Sequence, residues 1–179
     1  NLDQLKRKIS NLKPQIIYHL AAFVNLSRDL ETAKKCIDIN LGGTWNLLEA
    51  LRNYPPKKLI FTSTEEVYGN GPIPYREDQI LHPPSGYAIS KIGAEEFCEI
   101  YARELGFQLV ILRIGTMYGP GQPEARFISQ IIIKAFKNKE IPLTSQINKR
   151  DYIYVDDVVN ALISSGERRS KEGVLIVNL

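Results

Sequence analysis

The sequence predicts an α/β fold, a doubly wound parallel sheet, and three observations carry that prediction. Short apolar runs alternate with longer segments of helical period along the whole chain, as they do in successive βαβ units. The apolar runs at Gln15 to His19, Lys58 to Thr62, Gln108 to Arg113 and Val174 to Asn178 have the length of buried strands. The helical segments between them end at recognisable stops. Right-handed crossovers then place helices on both faces of the sheet.

Taken in order, the chain opens with a polar helical segment from Asp3 to Leu12 that leads into the first strand. A long helix is expected from Asp29 to Asn53, halted by Tyr54-Pro55-Pro56 because proline cannot continue it and disfavours helix in the residue before. The helix from Tyr87 to Leu105 ends at Gly106, a glycine suited to the left-handed position past a helix end. Further helices are expected over Arg126 to Lys137 and Val155 to Ser165, the last with Asp156 and Asp157 in its first turn, where negative charge suits the helix dipole. The loop from Gly69 to Gly86 carries four prolines after Gly71, and a loop of that size in a compact domain is usually functional.

Composition narrows the function classes. A chain of 179 residues with 44% hydrophobic and 24% charged content suits one domain with a real core. The net charge of +3, from 23 basic and 20 acidic residues, is scattered, which leaves no electrostatic footprint for nucleic acid. Apolar runs such as Leu109 to Leu112 and Ile131 to Ile133 are far too short to span a bilayer, and no signal-peptide pattern opens the chain. Cys36 and Cys98 sit mid-helix among apolar residues and read as free thiols in a reducing cytoplasm. With only His19 and His82 available, no metal site is expected.

The chemistry is concentrated in Tyr87-Ala88-Ile89-Ser90-Lys91. Positions four apart share one helix face, so a phenol and an ammonium stand one turn apart at the head of a helix. Beside a bound cationic cofactor, the Lys91 charge would favour phenolate and lower the Tyr87 pKa from about 10 toward neutrality, giving a general base for an alcohol. Thr62, Ser63 and Thr64 lie just past the second buried strand, at the edge where parallel sheets bind ligands. From there Thr64 can share a substrate hydroxyl with Tyr87. Other ordered motifs are His19-Leu20-Ala21-Ala22, Asn40-Leu41-Gly42-Gly43-Thr44, Thr64-Glu65-Glu66-Val67-Tyr68-Gly69, Tyr118-Gly119-Pro120-Gly121 and Arg150-Asp151-Tyr152-Ile153-Tyr154-Val155-Asp156-Asp157.

In this order and spacing, the set resembles the extended short-chain dehydrogenases, specifically the NAD-dependent nucleotide-sugar epimerase/dehydratase family, from about Pro14 to Val177. The resemblance implies a Rossmann-like sheet, NAD as cofactor and a nucleotide-diphosphate sugar as substrate. It implies that Thr64, Tyr87 and Lys91 are catalytic, with Lys91 also holding the nicotinamide ribose. Leu20, Ala21, Ala22, Thr62 and Ser63 would border the cofactor, the small side chains admitting it close to the backbone. Arg150 would contact the diphosphate, which suits a guanidinium, and Thr116 stands where the family often has a substrate-contacting Asn. Family members pair their two long helices across a homodimer as a four-helix bundle, so the segments Asp29 to Asn53 and Tyr87 to Leu105 are expected to do the same.

The chain has no Gly-rich turn at its head, although dinucleotide-binding folds normally begin with one. It reads as the middle of a longer protein, residues 1–179 forming one partial NAD-binding domain with substrate-binding elements beginning around 116–154. Glu65 and Glu66 sharpen the reaction. Family 4,6-dehydratases carry an acidic pair here, the first acting as acid and the second as base to eliminate water from a 4-keto intermediate, which favours dehydration. The pair here is Glu-Glu rather than Asp-Glu. The alternatives are a 4-epimerase, with these carboxylates solvated, and a non-catalytic dinucleotide-binding fragment. Asn40 and His19 read as structural, and Arg113 as either an anion ligand or a packed core residue. The turn Ser145 to Lys149, before Arg150, departs from the family's glycine-containing one.

Overall fold

The computed structural model describes residues 1–141, 150–168 and 173–179. Its main sheet has four parallel strands in the order β1 (Ile16–His19), β2 (Lys58–Thr64), β3 (Gln108–Ile114) and β6 (Val174–Asn178). Each strand runs where the apolar pattern places it, except that β2 continues through Thr62, Ser63 and Thr64, the hydroxyl residues expected just past its end. All four point the same way, so their C-terminal residues share one edge, with His19 opposite Phe61, Ser63 opposite Arg113, and Arg113 opposite Asn178.

Alternate residues of the strands supply two cores, as the pleat requires. Leu59, Phe61, Leu109 and Ile111 face α3 (Gly42–Leu51) and α4 (Gly86–Leu105), where they meet Leu48, Ala94, Cys98 and Ala102. Ile60, Val110 and Leu112 face the other way, with Leu162 of α6 (Val155–Glu167) packed against them. The sheet is therefore covered on both faces, as the sequence predicts. The opening helix α1 (Leu2–Leu12) lays Ile9 against Ala50 and Leu51 of α3. Lys58 closes the opposite end of the sheet. Its buried ammonium donates to the carbonyls of Ser165 (2.9 Å), Gly166 (3.1 Å) and Arg168, which satisfies the free carbonyls at the end of α6.

Two features differ from the sequence expectation. The helix expected from Asp29 to Asn53 is not a uniform α-helix: α2 (Leu30–Cys36) passes through a π-helical segment, Ile37–Leu41, before α3. Such insertions cluster at functional positions, and this one carries Asn40, whose side chain reaches across to the loop after β1. The second is a small separate sheet in which β4 (Thr116–Tyr118) pairs in parallel with β5 (Tyr152–Tyr154). The strand following Arg150 is legible in the sequence, but its partner is only three residues long. Helix α5 (Phe127–Phe136) lies between them in the chain. The turn Ser145 to Lys149 lies outside the described residues.

The head of α4 is fixed by a glycine and a cap. Ser85 Oγ accepts the Ala88 amide at 3.2 Å, and a Cβ on Gly86 would lie 2.4 Å from Ala33 Cα of α2. Only glycine lets α4 start against α2, and that start sets where Tyr87 points. Gly86→Ala should cost about 1–3 kcal/mol by forcing the two helices apart. The check is the urea midpoint of the chain; an unchanged midpoint would contradict the close approach.

Candidate active site

The structure brings Thr64, Tyr87 and Lys91 together at the C-terminal edge of the sheet. Thr64 is the last residue of β2, Tyr87 the second residue of α4, and Lys91 follows one turn later. All three are buried, at 8%, 7% and 2% exposure. Burial pushes the Tyr87 phenol up to about 12, with Glu66 and Cys36 adding to the effect and a hydrogen bond with Thr64 pulling against it. Without a ligand the phenol is thus firmly protonated, and Lys91 alone does not lower it. Lys91 is itself driven down to about 8 by burial.

A chain of hydrogen bonds behind these residues holds them in place. Asn40 Oδ1 accepts the Phe23 amide at 2.7 Å, and its Nδ2 donates to the Phe23 carbonyl (3.0 Å) and to Ser90 Oγ (3.1 Å). Ser90 Oγ in turn donates to the Tyr87 carbonyl at 2.7 Å. Thr44 Oγ1 gives its proton to the Asn40 carbonyl at 2.7 Å. It must therefore accept from His19, whose Nε2 lies 2.9 Å away. That assigns His19 the Nε2–H tautomer. Both residues are structural, as the sequence reading has them, although Asn40 braces the loop after β1 rather than the sheet itself.

The strand ends supply the floor. Thr62 Oγ1 donates to the His19 carbonyl at 3.2 Å, tying β2 to β1. Ser63 Oγ is buried and has no hydrogen-bond partner among the described residues. Leu20, Ala21 and Ala22 follow β1 and are exposed at the same edge.

The acidic pair splits into two environments. Glu65 and Glu66 open a 3-10 turn, Glu65–Tyr68, whose amide at Glu66 is capped by Thr64 Oγ1 at 3.2 Å. Glu65 points toward the small sheet, where Thr116 Oγ1 donates to Oε1 at 3.2 Å. Burial raises its pKa; Asp151 and Glu66 add to the rise, while the Thr116 bond and Arg150 oppose it. Glu66 instead pairs with Arg150, Nη1 to Oε1 at 3.3 Å, with the guanidinium more than half exposed. Thr116, Glu65, Glu66 and Arg150 therefore form one wall of the crevice.

A second wall was not legible in the sequence. Arg113 is 4% exposed and sends Nε and Nη2 to Glu95, the latter at 2.7 Å, while Nη1 reaches Tyr68 Oη at 2.8 Å and the Glu77 carbonyl at 3.2 Å. Tyr68 donates to Asn178 Oδ1 at 2.7 Å, and Asn178 Nδ2 donates to the Tyr75 carbonyl at 3.3 Å. Tyr75 stacks on Tyr68 with centroids 4.7 Å apart and donates its hydroxyl to the Gly69 carbonyl at 2.9 Å. This network pins the loop from Gly69 to Gly86 over the sheet edge. It also decides between the two readings of Arg113 in favour of packing.

This geometry can be set beside known proteins. The NAD dependent epimerase/dehydratase family matches residues 1–178. The chain belongs to that family. It is 34% identical over 162 residues to the dTDP-D-glucose 4,6-dehydratase of Dictyostelium discoideum, covering 83% of this chain and 37% of that protein. To the UDP-glucuronate 4-epimerase of Thermodesulfobacterium geofontis it is 33% identical over 171 residues, covering 92% and 52%. Among solved structures, the UDP-glucose 4-epimerase of Thermotoga maritima with UDP-glucose superposes with a TM-score of 0.87 at 31% identity, over 100% of this chain and 59% of that one. MoeE5 in complex with UDP-glucose and NAD gives 0.86 at 26% identity, over 100% and 60%. The chain thus spans about half the length of the relatives it matches. The Rossmann-like sheet and the epimerase/dehydratase membership expected from the motifs both hold.

The His19 site generates a pH prediction. Burial, then the Lys91 charge, holds His19 down at about 4 against an ordinary 6.5. The unfolded chain takes up a proton that the folded chain refuses. Stability from this group is complete above pH 6.5 and falls as pH drops toward 4. His19→Gln retains a donor for Thr44 and should flatten that part of the profile. Chemical denaturation of both chains across pH 4 to 7 checks it; parallel profiles would refute the assignment.

Proposed function

We propose that this chain forms the catalytic core of an NAD-dependent enzyme acting on a nucleotide-diphosphate sugar through a 4-keto intermediate, as a 4,6-dehydratase. The observation that carries the reading is the division of the acidic pair beside Thr64 and Tyr87. Glu65 is half-buried with a raised pKa, which suits an acid, and Glu66 is ion-paired with Arg150, which suits a carboxylate base. A pair of merely solvated loop carboxylates would not be expected to differ in this way.

The residues present fit the cofactor. Ser63 has a buried hydroxyl without a partner, Lys91 has a buried ammonium that donates to no acceptor among the described residues, and Ala21 and Ala22 leave the backbone approachable. Ser63 and Lys91 would bond the nicotinamide end and its ribose, with Thr62 and Leu20 bordering it. NAD, when bound, would supply the acceptor for the C4 hydride and the donor that returns it to C6 after water is lost, with the proton held by Glu66 going back to C5. Tyr87 takes the 4-hydroxyl proton, and Thr64 shares that hydroxyl through its hydrogen bond. Glu66 then removes the proton at C5, made acidic by the 4-ketone. Glu65 gives its proton to the 6-hydroxyl, which leaves as water. Thr116 holds Glu65 in place, and Arg150 would bind the diphosphate.

A second reading, a nucleotide-sugar 4-epimerase, is favoured by the epimerases among the relatives. Mass spectrometry of the whole protein with NAD and a panel of nucleotide sugars separates the two. Loss of one water supports dehydration; unchanged mass with a new stereoisomer supports epimerisation; no conversion of any sugar refutes both. Tyr87→Phe should lower turnover by about 10²–10⁴-fold with the fold intact. Glu66→Gln should abolish water loss while NADH accumulates, and full-rate product from it would refute the base assignment.

The same reading includes a homodimer in a reducing, cytoplasmic setting, where the buried free thiols Cys36 and Cys98 would persist. Its support is an exposed apolar face on α3 and α4. There Trp45 sits edge-on to Phe97 (4.8 Å) and Tyr101 (5.9 Å), with Ile89 and Ile100 about half exposed. An apolar, aromatic patch centred on a tryptophan in this way is typical of interface cores. Sedimentation of the whole protein should give a dimer at micromolar concentration and a monomer for Trp45→Glu; a wild-type monomer rejects the interface.

A further inference from the structure

Lys91 presents an unusual problem. A full positive charge is 2% exposed, yet it makes no hydrogen bond to any acceptor among the described residues. A carboxylate on its own helix, Glu95, favours its charge through space but makes no hydrogen bond to it. Both Glu95 oxygens are taken by Arg113, at 3.2 Å and 2.7 Å on Oε2 and 3.3 Å on Oε1. The other titratable groups facing Lys91 are Cys98 on α4 and His19 at the end of β1. Cys98 and Glu95 favour the charged form of Lys91 through space, but burial outweighs them, and His19 is itself held neutral.

What the ammonium does touch is an aromatic face. Nζ stands 4.3 Å from the centroid of the Phe61 ring, well inside the range in which the electron-rich face of an arene attracts a cation. Phe61 is itself 1% exposed, and the His19 ring packs against it with centroids 5.5 Å apart, tilted by 47°. His19 in turn is fixed by Thr44 and, through Asn40 and Ser90, by the backbone of Tyr87. The contacts therefore close a circuit that runs from the lysine through the ring and back to the tyrosine.

We propose that Phe61 is a positioning residue for Lys91: its ring, held by His19, is the seat that keeps the buried ammonium charged and aimed into the crevice when no ligand is present. The ring has a property that a carboxylate would lack. It stabilises the cation without occupying its donors, so all three N–H bonds stay free for hydroxyl acceptors of an arriving ligand. A carboxylate in the same place would have to be displaced before Lys91 could bind anything. The relevance to turnover rests on the catalytic reading above, whereas the seat itself is a property of this chain.

The test reads the seat directly. With lysine labelled at the ε-carbon with carbon-13, the titration of Lys91 is followed by NMR in the whole protein without ligand, its resonance assigned by Lys91→Arg. Phe61 is then replaced site-specifically by a trifluorinated phenylalanine, which keeps the shape of the ring but drains its electron-rich face. The Lys91 pKa should fall by about one unit, and a monofluorinated ring should give an intermediate value. Phe61→Tyr should restore the parent titration, and Phe61→Leu should lower it as far as the trifluorinated ring does. A folded chain whose Lys91 titrates identically with every ring overturns the proposal. Because neither substrate nor cofactor enters the experiment, failure here leaves the dehydratase reading standing. Failure of that reading in turn leaves the titration result unaffected.

Discussion

The edge of this sheet is organised around one electrostatic constraint, the burial of Lys91. An isolated ammonium in a low-dielectric setting is costly unless the surroundings compensate it. The compensation is partial: an aromatic face at 4.3 Å and the charges of Cys98 and Glu95 favour the ammonium, yet burial still lowers its pKa to about 8 and it makes no hydrogen bond among the described residues. The neighbouring groups follow from it. His19 is kept neutral by burial and by the same charge, and its tautomer is then set by Thr44. Glu95 could have neutralised Lys91, but it is directed instead to Arg113, which leaves the lysine's donors free.

The buried Glu95–Arg113 pair has a separate consequence. Breaking such a pair by deleting one partner leaves an uncompensated buried charge, typically at a cost of about 3–5 kcal/mol. Here the guanidinium also reaches Tyr68 and the Glu77 carbonyl, and Tyr68 continues to Asn178 and the Tyr75 loop. One ion pair therefore anchors α4 to β3 and carries the loop that closes the crevice. The acidic wall rests on this scaffold. Glu65 is reached from β4 through Thr116, and Glu66 from the start of β5 through Arg150. The small parallel sheet is thus what separates two adjacent carboxylates into different electrostatic environments.

Legibility in the sequence followed the range of the interactions. Thr64, Tyr87 and Lys91 could be read because a strand end, a cap and a four-residue helical spacing are local facts. The four main strands and the helices on either side of them followed from alternating runs and proline or glycine stops. The π-helical segment Ile37–Leu41 could not, since its hydrophobic pattern continues that of the flanking turns and only the reach of Asn40 to Phe23 distinguishes it. Arg113 was ambiguous because its partner lies 18 residues back on another element. Tyr68 and Asn178, 110 residues apart, carry no local signal at all. Phe61 reads simply as a core strand residue, and only the fold puts a cation on its face.

The protonated state of Tyr87 then takes on a functional meaning. A phenol held near 12 by burial is a poor base at neutral pH, and Glu66 pushes it further in that direction. Any cation that enters the crevice must lower that pKa, and by the reciprocity of linkage it must bind the phenolate form more tightly than the phenol. Lys91, one turn along the same helix, is not among the groups that lower it here.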